Sequence, residues 1–205
     1  MIYTTLNKIR AHGPCIDGWA KLLRYLGKTQ ADDESLPFAT ILDSNGFDDA
    51  LWCLRAVDGH QREMRLYAVW CARQVEHLMA DPRSRTALDV AERHATGVAT
   101  DDELAAAWGA ADAAWDAAVS AADDELAAAR AAAGGAAKAA KAARAAAWAA
   151  ATAAAWYAAW YAADAAARAA AGGAAGAAAW YVAWYAAGAA QNAEFRRVFC
   201  GAVKA

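Results

Sequence analysis

Alanine dominates the second half of this chain. Between residues 101 and 190, 52 of the 90 positions are alanine. Alanine is the best helix former because its side chain loses no conformational entropy in a helix. Helices with so many methyl side chains can approach one another closely, provided that the few large residues face small ones. The composition therefore predicts that this segment is helical almost throughout.

Two pairs of glycines, at 134–135 and 172–173, interrupt the alanine-rich segment. Each glycine costs about 1 kcal/mol relative to alanine inside a helix, so a pair predicts a break. We expect three long helices, 101–133, 136–171 and 174–199, that fold back antiparallel. A single continuous rod is the alternative, because helix can bridge a weak break.

The first hundred residues have an ordinary mixture of apolar and charged residues, punctuated by turn signals. The HGPC stretch at 12–15, the Asn-Gly pair at 45–46 and the Asp-Gly pair at 58–59 each predict a helix end or a turn. The apolar pattern of 61–80 predicts one helix there. Short segments with short connections are typical of stacked helical hairpins.

Two helix starts carry capping signals. Asp81 and Pro82 pair an N-cap residue with a proline at the first helical position. Thr100 and Glu103 have the spacing of a capping box just before the alanine-rich segment. The sequence therefore predicts an all-α protein with two parts: a helical N-terminal domain of short hairpins, 1–98, and a bundle of long antiparallel alanine-rich helices, 99–205, with breaks at 134–135 and 172–173.

Two matched aromatic blocks, WYAAWYAA (156–163) and WYVAWYAA (180–187), stand in the alanine background. On a helix, each block places its four rings on one broad face. A turn between the second pair of glycines brings Tyr161 level with Trp184, and Tyr157 level with the small Gly188.

Two charged residues share the face of the first block. Asp164 and Arg168 have the i,i+4 spacing of a side-chain ion pair. Together with the rings they are the candidate residues for binding a ligand or partner. The full set of candidates is Trp156, Tyr157, Trp160, Tyr161, Asp164, Arg168, Trp180, Tyr181, Trp184 and Tyr185.

The aromatic blocks admit three interpretations. They can form core, with the rings of one helix packed against small residues of the next. They can belong to membrane-spanning segments, since the runs 145–163 and 169–193 carry no charged residue. The rings would then lie near the middle of a span, whereas Trp and Tyr normally mark its ends, so membrane association is the less favoured interpretation. The third interpretation is a surface that binds a protein partner, a second copy of the chain or a small flat ligand.

No pattern in the chain indicates catalysis or metal binding. The four histidines and four cysteines lack the spacing of a zinc site, and no nucleotide-binding or nucleophile motif occurs. The net charge of −3 does not favour a nucleic-acid partner. We therefore expect no catalytic residue, no metal and no cofactor. The basic stretch with Lys138 and Lys141 is expected to be a solvated helix face.

The cysteines favour a cytoplasmic protein with free thiols. They are widely spaced, and residues 1–20 lack the charged and apolar regions of a secretory signal. A reduced cytoplasmic protein is therefore the expectation.

Three stretches between residues 12 and 104 resemble a group of uncharacterised bacterial and prophage proteins that share such an N-terminal domain and carry an alanine-rich tail. The stretches are HGPCIDGWAKLLRYLGKT, LDSNGFDDALWCLRAV and REMRLYAVWCARQVEHLMADPRSRTALDVAERHATG. The segment from Arg65 to Ala107, with its A-L-x-x-A-E-R pattern at 87–93, more distantly resembles the immunity protein family of bacterial toxin systems. The tail of this chain differs from the commoner alanine–arginine–tryptophan repeats by its uncharged aromatic blocks and paired glycines.

The resemblance implies a setting of mobile genetic elements, in which small proteins act by binding. We expect a non-enzymatic binding protein of phage, prophage or immunity type that sequesters or blocks a partner. Two alternatives stay open: a nucleotide-like small-molecule binding protein or enzyme with a Trp- and Tyr-lined site, and a membrane-associated helical protein.

Overall fold

The computed structural model describes the chain in four stretches: 1–123, 138–143, 155–171 and 176–201. Side chains are described over 1–117, 138–143, 160–169 and 183–201. In these stretches the protein is all-α, as the sequence predicts, apart from a two-stranded ribbon.

Short helices precede long ones along the chain. The strands are β1 (Tyr3–Thr4) and β2 (Leu36–Pro37). The helices are α1 (Leu6–Ala11), α2 (Ile16–Tyr25), α3 (Phe38–Asn45), α4 (Phe47–Cys53), α5 (Gln61–Arg73), α6 (Pro82–Ala95), α7 (Asp101–Asp123), α8 (138–143), α9 (Ala155–Ala171) and α10 (Gly176–Phe195). Short 3-10 turns follow α4 and α5, and a π-helical turn, Arg196–Cys200, follows α10.

The long helices α7, α9 and α10 fall within the three ranges predicted for them. The predicted breaks at 134–135 and 172–173 lie outside the described residues. Two compact units divide the chain: Met1–Gln61 with the segment from Asn192 onward is unit 1, and Arg62–Gln191 is unit 2. The sequence places a boundary at residue 98 instead, where its composition changes.

A short antiparallel ribbon opens unit 1. β1 pairs with β2 in the register Tyr3↔Pro37 and Thr4↔Leu36, and the N–H of Phe38 donates to the carbonyl of Ile2 at 3.1 Å. The sequence did not predict this ribbon, because two-residue strands are too short to show an alternating pattern. The core of unit 1 is built from apolar residues in and beside the ribbon and from α1 to α4, including Ile2, Leu6, Ile9, Leu22, Leu36, Phe38, Ile41, Leu42 and Leu51.

Gly46 joins α3 to α4, as its Asn-Gly signal predicts. Its φ of +96° lies in a region that residues with a side chain rarely adopt. Its N–H donates to the carbonyl of Leu42 at 3.0 Å, which satisfies the last turn of α3.

The C-terminal segment completes the core of unit 1. Phe195 and Phe199 are fully buried. The ring of Phe195 lies edge-on to that of Phe47, with centroids 5.6 Å apart, and 4.8 Å from the ring of Phe199. The N–H of Ile2 donates to the carbonyl of Phe199 at 2.8 Å. Ile2 and Phe199, far apart in sequence, therefore belong to one core.

Unit 2 packs its helices through small side chains. Val69 of α5, Ala91 of α6 and Leu104 of α7 form one buried cluster. A second cluster consists of alanines from α6 and α7: Ala87, Ala107 and Ala111. Methyl groups at these positions allow the two helices to approach closely, as the alanine content predicts.

Both predicted helix caps of unit 2 are confirmed. Asp81 accepts a hydrogen bond from the N–H of Arg83 at 2.8 Å, and Pro82 occupies the first helical position of α6. At the start of α7, the N–H of Glu103 donates to Oγ1 of Thr100 at 3.2 Å, and the N–H of Thr100 donates to Oε2 of Glu103 at 2.8 Å. This reciprocal pair is a capping box.

The helix expected over 61–80 is shorter than predicted. α5 ends at Arg73, and a 3-10 turn, Glu76–Leu78, follows it. Arg73 holds this turn, because its guanidinium pairs with Glu76 at 3.0 Å. The uncharged runs at 145–163 and 169–193 are described only in part. Within the described stretches, none of the helices combines the length and apolar character needed to cross a membrane.

Candidate functional site

Six of the ten candidate residues have described side chains, and all six lie in unit 2. They are Trp160, Tyr161, Asp164 and Arg168 on α9, and Trp184 and Tyr185 on α10. The side chains of the other four lie outside the described residues: Trp156, Tyr157, Trp180 and Tyr181.

Asp164 is a buried carboxylate at the centre of the site. It is 2 % exposed, a position that is costly for an unpaired charge. Two cations neutralise it. Nζ of Lys138 lies 3.1 Å from Oδ2, and Nε of Arg168 donates to both carboxylate oxygens at 3.1 Å. The ion pair that the sequence predicts between Asp164 and Arg168 is confirmed, and Lys138 adds a second cation from α8.

The two lysines of α8 lie over aromatic rings. Nζ of Lys141 is 4.4 Å from the ring centroid of Tyr161 and 5.0 Å from that of Trp115 on α7. Nζ of Lys138 is 5.7 Å from the centroid of Trp160 and 5.9 Å from that of Tyr161. An ammonium within about 6 Å of a ring face is attracted by the electrons of the ring. These contacts hold α8 between α7 and α9.

The expectation that Lys138 and Lys141 form a solvated face is therefore wrong. The side chain of Lys138 is only 28 % exposed, because it contacts Asp164 on the neighbouring helix α9. Lys141 is half-buried among the rings. The i,i+3 spacing of the two lysines places them on one helix face. Nothing in the sequence indicates which helix that face meets, and for the same reason the contribution of Trp115 was missed.

Trp160 and Trp184 pack edge to face, with ring centroids 6.0 Å apart and planes at 73°. The predicted register brought Tyr161 level with Trp184, which is one residue from the observed contact. The predicted approach of Tyr157 to Gly188 lies outside the described side chains.

The described rings are neither all core nor all surface. Tyr161 and Trp184 are half-buried, whereas Trp160 is 40 % exposed and Tyr185 is 72 % exposed. The core interpretation therefore describes only part of the aromatic blocks. A mixed set of rings joins the helices and leaves aromatic area at the surface.

Two polar groups outside the aromatic blocks, Cys53 and Arg73, have structural roles. Burial raises the pKa of the Cys53 thiol to about 12, so it is protonated at neutral pH. Arg73 joins α5 to α6 through ion pairs of 2.7 and 2.8 Å with Asp89 and Glu92. Among the residues that the structure describes, no three His, Cys, Asp or Glu side chains are placed to hold a metal ion.

The site thus offers groups suited to recognition: aromatic surface beside cationic donors that share one buried carboxylate. No protein-family model, curated protein or solved structure matches this chain. The contacts of the site are therefore the structural basis for a functional proposal.

Proposed function

We propose that the protein is a non-enzymatic binding protein that sequesters or blocks a protein partner. Its binding surface is the aromatic–arginine patch, which we define as Trp160, Arg168, Trp184 and Tyr185. The observation that supports the proposal most strongly is the exposure of two rings, 40 % for Trp160 and 72 % for Tyr185, in a segment otherwise built of methyl groups.

A single exposed aromatic residue is ordinary on a protein surface. This patch differs because two of its rings touch each other and a charged group lies on the same helix as one of them. Trp160 contacts Trp184, and Arg168 lies about two turns after Trp160 on α9. Trp, Tyr and Arg are the residue types most enriched at the energetic centres of protein interfaces.

The patch is also held in place before any partner arrives. Two hydrogen bonds to Asp164 fix the guanidinium of Arg168, and the ring contacts with Tyr161 and Trp184 restrict Trp160. A side chain that is ordered in the free protein loses less entropy on binding. This preorganisation favours a binding role for the patch.

The sequence resemblance supports a setting for this activity. Residues 12–104 resemble prophage proteins with alanine-rich tails, and more distantly the immunity proteins of bacterial toxin systems. We therefore place the protein in phage, prophage or toxin conflict, as an immunity or anti-defence protein. Its four cysteines are free thiols, which suits the reducing cytoplasm.

The test is capture of partners on the immobilised full chain from bacterial cells with and without phage infection. A partner that wild type retains should be lost with Trp160→Ala and with Tyr185→Ala. Trp108→Ala is the matched control, since Trp108 on α7 is 37 % exposed and lies outside the patch. A partner retained equally by every variant would contradict the proposal. If only further copies of this chain are captured, the partner is a second copy of the chain and not a foreign protein.

A small flat anionic ligand, such as a nucleotide, is the second candidate. The observation in its favour is that Lys138 and Arg168 converge on Asp164 beside the exposed ring of Trp160, because nucleobases stack on aromatic side chains. Titration of the tryptophan fluorescence with nucleotides checks this candidate. Saturable quenching that disappears in Trp160→Ala supports it, and unchanged fluorescence with every nucleotide counts against it.

A further inference from the structure

We infer that the partner docks on the aromatic–arginine patch through an acidic segment, with an Asp or Glu carboxylate placed against Arg168 and Lys138. This inference rests on the proposed function and specifies the chemistry of the partner. It follows from the charge balance around Asp164 and from what happens to that balance when the patch is covered.

Among the described residues that contact Asp164, cationic groups outnumber carboxylates. Lys138 and Arg168 share Asp164 as their ion-pair partner in the described part of the chain. Lys141, whose ammonium lies over Tyr161, has no ion pair among the same residues. Among the described residues, two cations therefore share the single charge of Asp164, and Lys141 adds a third cation beside Tyr161.

A partner that covers Trp160 also covers Arg168. Residues eight positions apart on a helix are about 12 Å apart along the axis and about 80° apart around it, so an interface of ordinary size reaches both. The side chains of Arg168 and Lys138 still expose 45 % and 28 % of their surface. Covering that surface removes water from a cation that Asp164 does not neutralise. Such a cation is costly to bury unless the partner supplies an opposite charge.

The guanidinium of Arg168 is well suited to a second carboxylate. It binds Asp164 through Nε, with both bonds at 3.1 Å. In the described residues its two terminal Nη atoms have no hydrogen-bond partner, and this pair of donors matches the two oxygens of a carboxylate. The exposed ring of Trp160 offers apolar surface to a neighbouring side chain of the same acidic segment.

The test uses three fluorescent peptides of equal length, in which tyrosines alternate with pairs of glutamate, glutamine or lysine. Fluorescence anisotropy with the full chain measures the affinity of each peptide. The glutamate peptide should bind about tenfold more tightly than the glutamine peptide, which corresponds to one charge-assisted contact. The lysine peptide should bind more weakly than either, because like charges repel. Added salt should lower the affinity for the glutamate peptide more than that for the glutamine peptide.

Charge-neutral variants locate the contact. Arg168→Gln and Lys138→Gln should each lower the affinity for the glutamate peptide several-fold, and Arg168→Lys should retain part of that affinity. Arg83→Gln is the matched control, because the side chain of Arg83 is also 45 % exposed and also pairs with one carboxylate, that of Asp81. A thermal melt of each variant shows whether an affinity loss comes from unfolding.

Several results would overturn the acidic-segment inference. They are failure of all three peptides to bind, equal affinity for the glutamate and glutamine peptides, and full glutamate-peptide affinity in folded Arg168→Gln. Displacement of the glutamate peptide by adenosine monophosphate at equal ionic strength would overturn it too, because the site would then take a small anion.

Trp160→Ala separates the two proposals. If this variant lowers the affinity for both the glutamate and the glutamine peptide while Arg168→Gln lowers neither affinity, the proposed function stands and the inference of an acidic partner is wrong. If Arg168→Gln lowers the affinity for the glutamate peptide and Trp160→Ala changes neither affinity, recognition of an acidic segment stands and the proposed role of the aromatic surface is wrong.

Discussion

Trp160 and Trp184 meet edge to face across α9 and α10, with their ring centroids 6.0 Å apart. Trp160 lies eleven residues before the end of α9 at Ala171, and Trp184 lies eight residues after the start of α10 at Gly176. A parallel pair of helices with this contact would separate those two ends by about 28 Å. Five peptide units span at most about 18 Å. The contact therefore requires α9 and α10 to be antiparallel, as the second pair of glycines predicts.

Removing the charge of Asp164 should destabilise unit 2. Asp164→Asn keeps the shape of the side chain but weakens its bonds to Lys138 and Arg168. We expect a loss of about 1–3 kcal/mol in the free energy of unfolding, below the cost for a fully buried pair because both cations are partly solvated. Urea denaturation measures the loss.

An exposed ion pair provides the control for Asp164→Asn. Asp58 pairs with Lys8 at 2.7 Å, and its side chain is 85 % exposed. Asp58→Asn should change the free energy of unfolding far less than Asp164→Asn does, because an exposed ion pair is screened by water. Equal effects of the two substitutions would show that the Asp164 pairs contribute no more than a surface salt bridge.

Local signals in the sequence predicted local structure well. The cap at Asp81, the capping box of Thr100 with Glu103 and the helix end at Gly46 depend on residues within a few positions of one another. The pair of Asp164 with Arg168 is local in the same sense, because it lies within one helix.

Apart from the register of the two aromatic blocks, contacts between distant segments were not predicted. Lys138 reaches Asp164 from another helix, and Phe195 enters the core formed by residues more than 140 positions earlier. The faces of alanine-rich helices are nearly alike, so periodicity does not specify which face meets which. Only large or charged residues distinguish them, and their partners are fixed by the tertiary arrangement.

The capping box should contribute measurably to the stability of unit 2. Thr100→Ala removes the acceptor for the N–H of Glu103 at the start of α7. We expect a loss of about 1 kcal/mol in urea denaturation. Thr86→Ala is the control, because the hydroxyl of Thr86 bonds to the carbonyl of Pro82 inside α6, and alanine is a better helix former than threonine. If Thr100→Ala loses no more stability than Thr86→Ala, the capping box does not stabilise α7.

Unit 1 should depend on an aromatic residue from the C-terminal segment. Phe195 is fully buried and packs against Phe38, Phe47 and Phe199. Phe195→Ala should cost about 3–5 kcal/mol, since it leaves a cavity among these rings. Tyr185→Ala, on the exposed surface of the same helix, should change stability by less than about 0.5 kcal/mol. A melting temperature unaffected by Phe195→Ala would show that the segment does not complete the core.

Alkaline pH should destabilise unit 1 through Cys53. Burial raises the pKa of its thiol to about 12 from an ordinary value of 9.0. The folded protein therefore retains a proton that the unfolded chain releases. The contribution of this thiol to the free energy of unfolding is fully present below pH 9 and is lost as the pH rises towards 12. At pH 10 the loss amounts to about 1.4 kcal/mol.

Replacement of the thiol isolates its contribution. Cys53→Ala should reduce the difference between urea midpoints measured near pH 8 and near pH 10. The exposed Cys15 provides the comparison, and Cys15→Ala should leave that difference unchanged. If Cys53→Ala and wild type lose stability equally between the two pH values, the buried thiol is not the cause.

Hydroxyl-radical footprinting of the full chain, with and without its captured partner, tests the binding surface most directly. The proposed function predicts that oxidation of Trp160 and Tyr185 falls when the partner is bound. Trp108 and Tyr25, which are 37 % and 58 % exposed and lie outside the patch, should be oxidised as before. Unchanged oxidation of Trp160 and Tyr185 together with protection of Tyr25 would place the interface elsewhere and contradict the account.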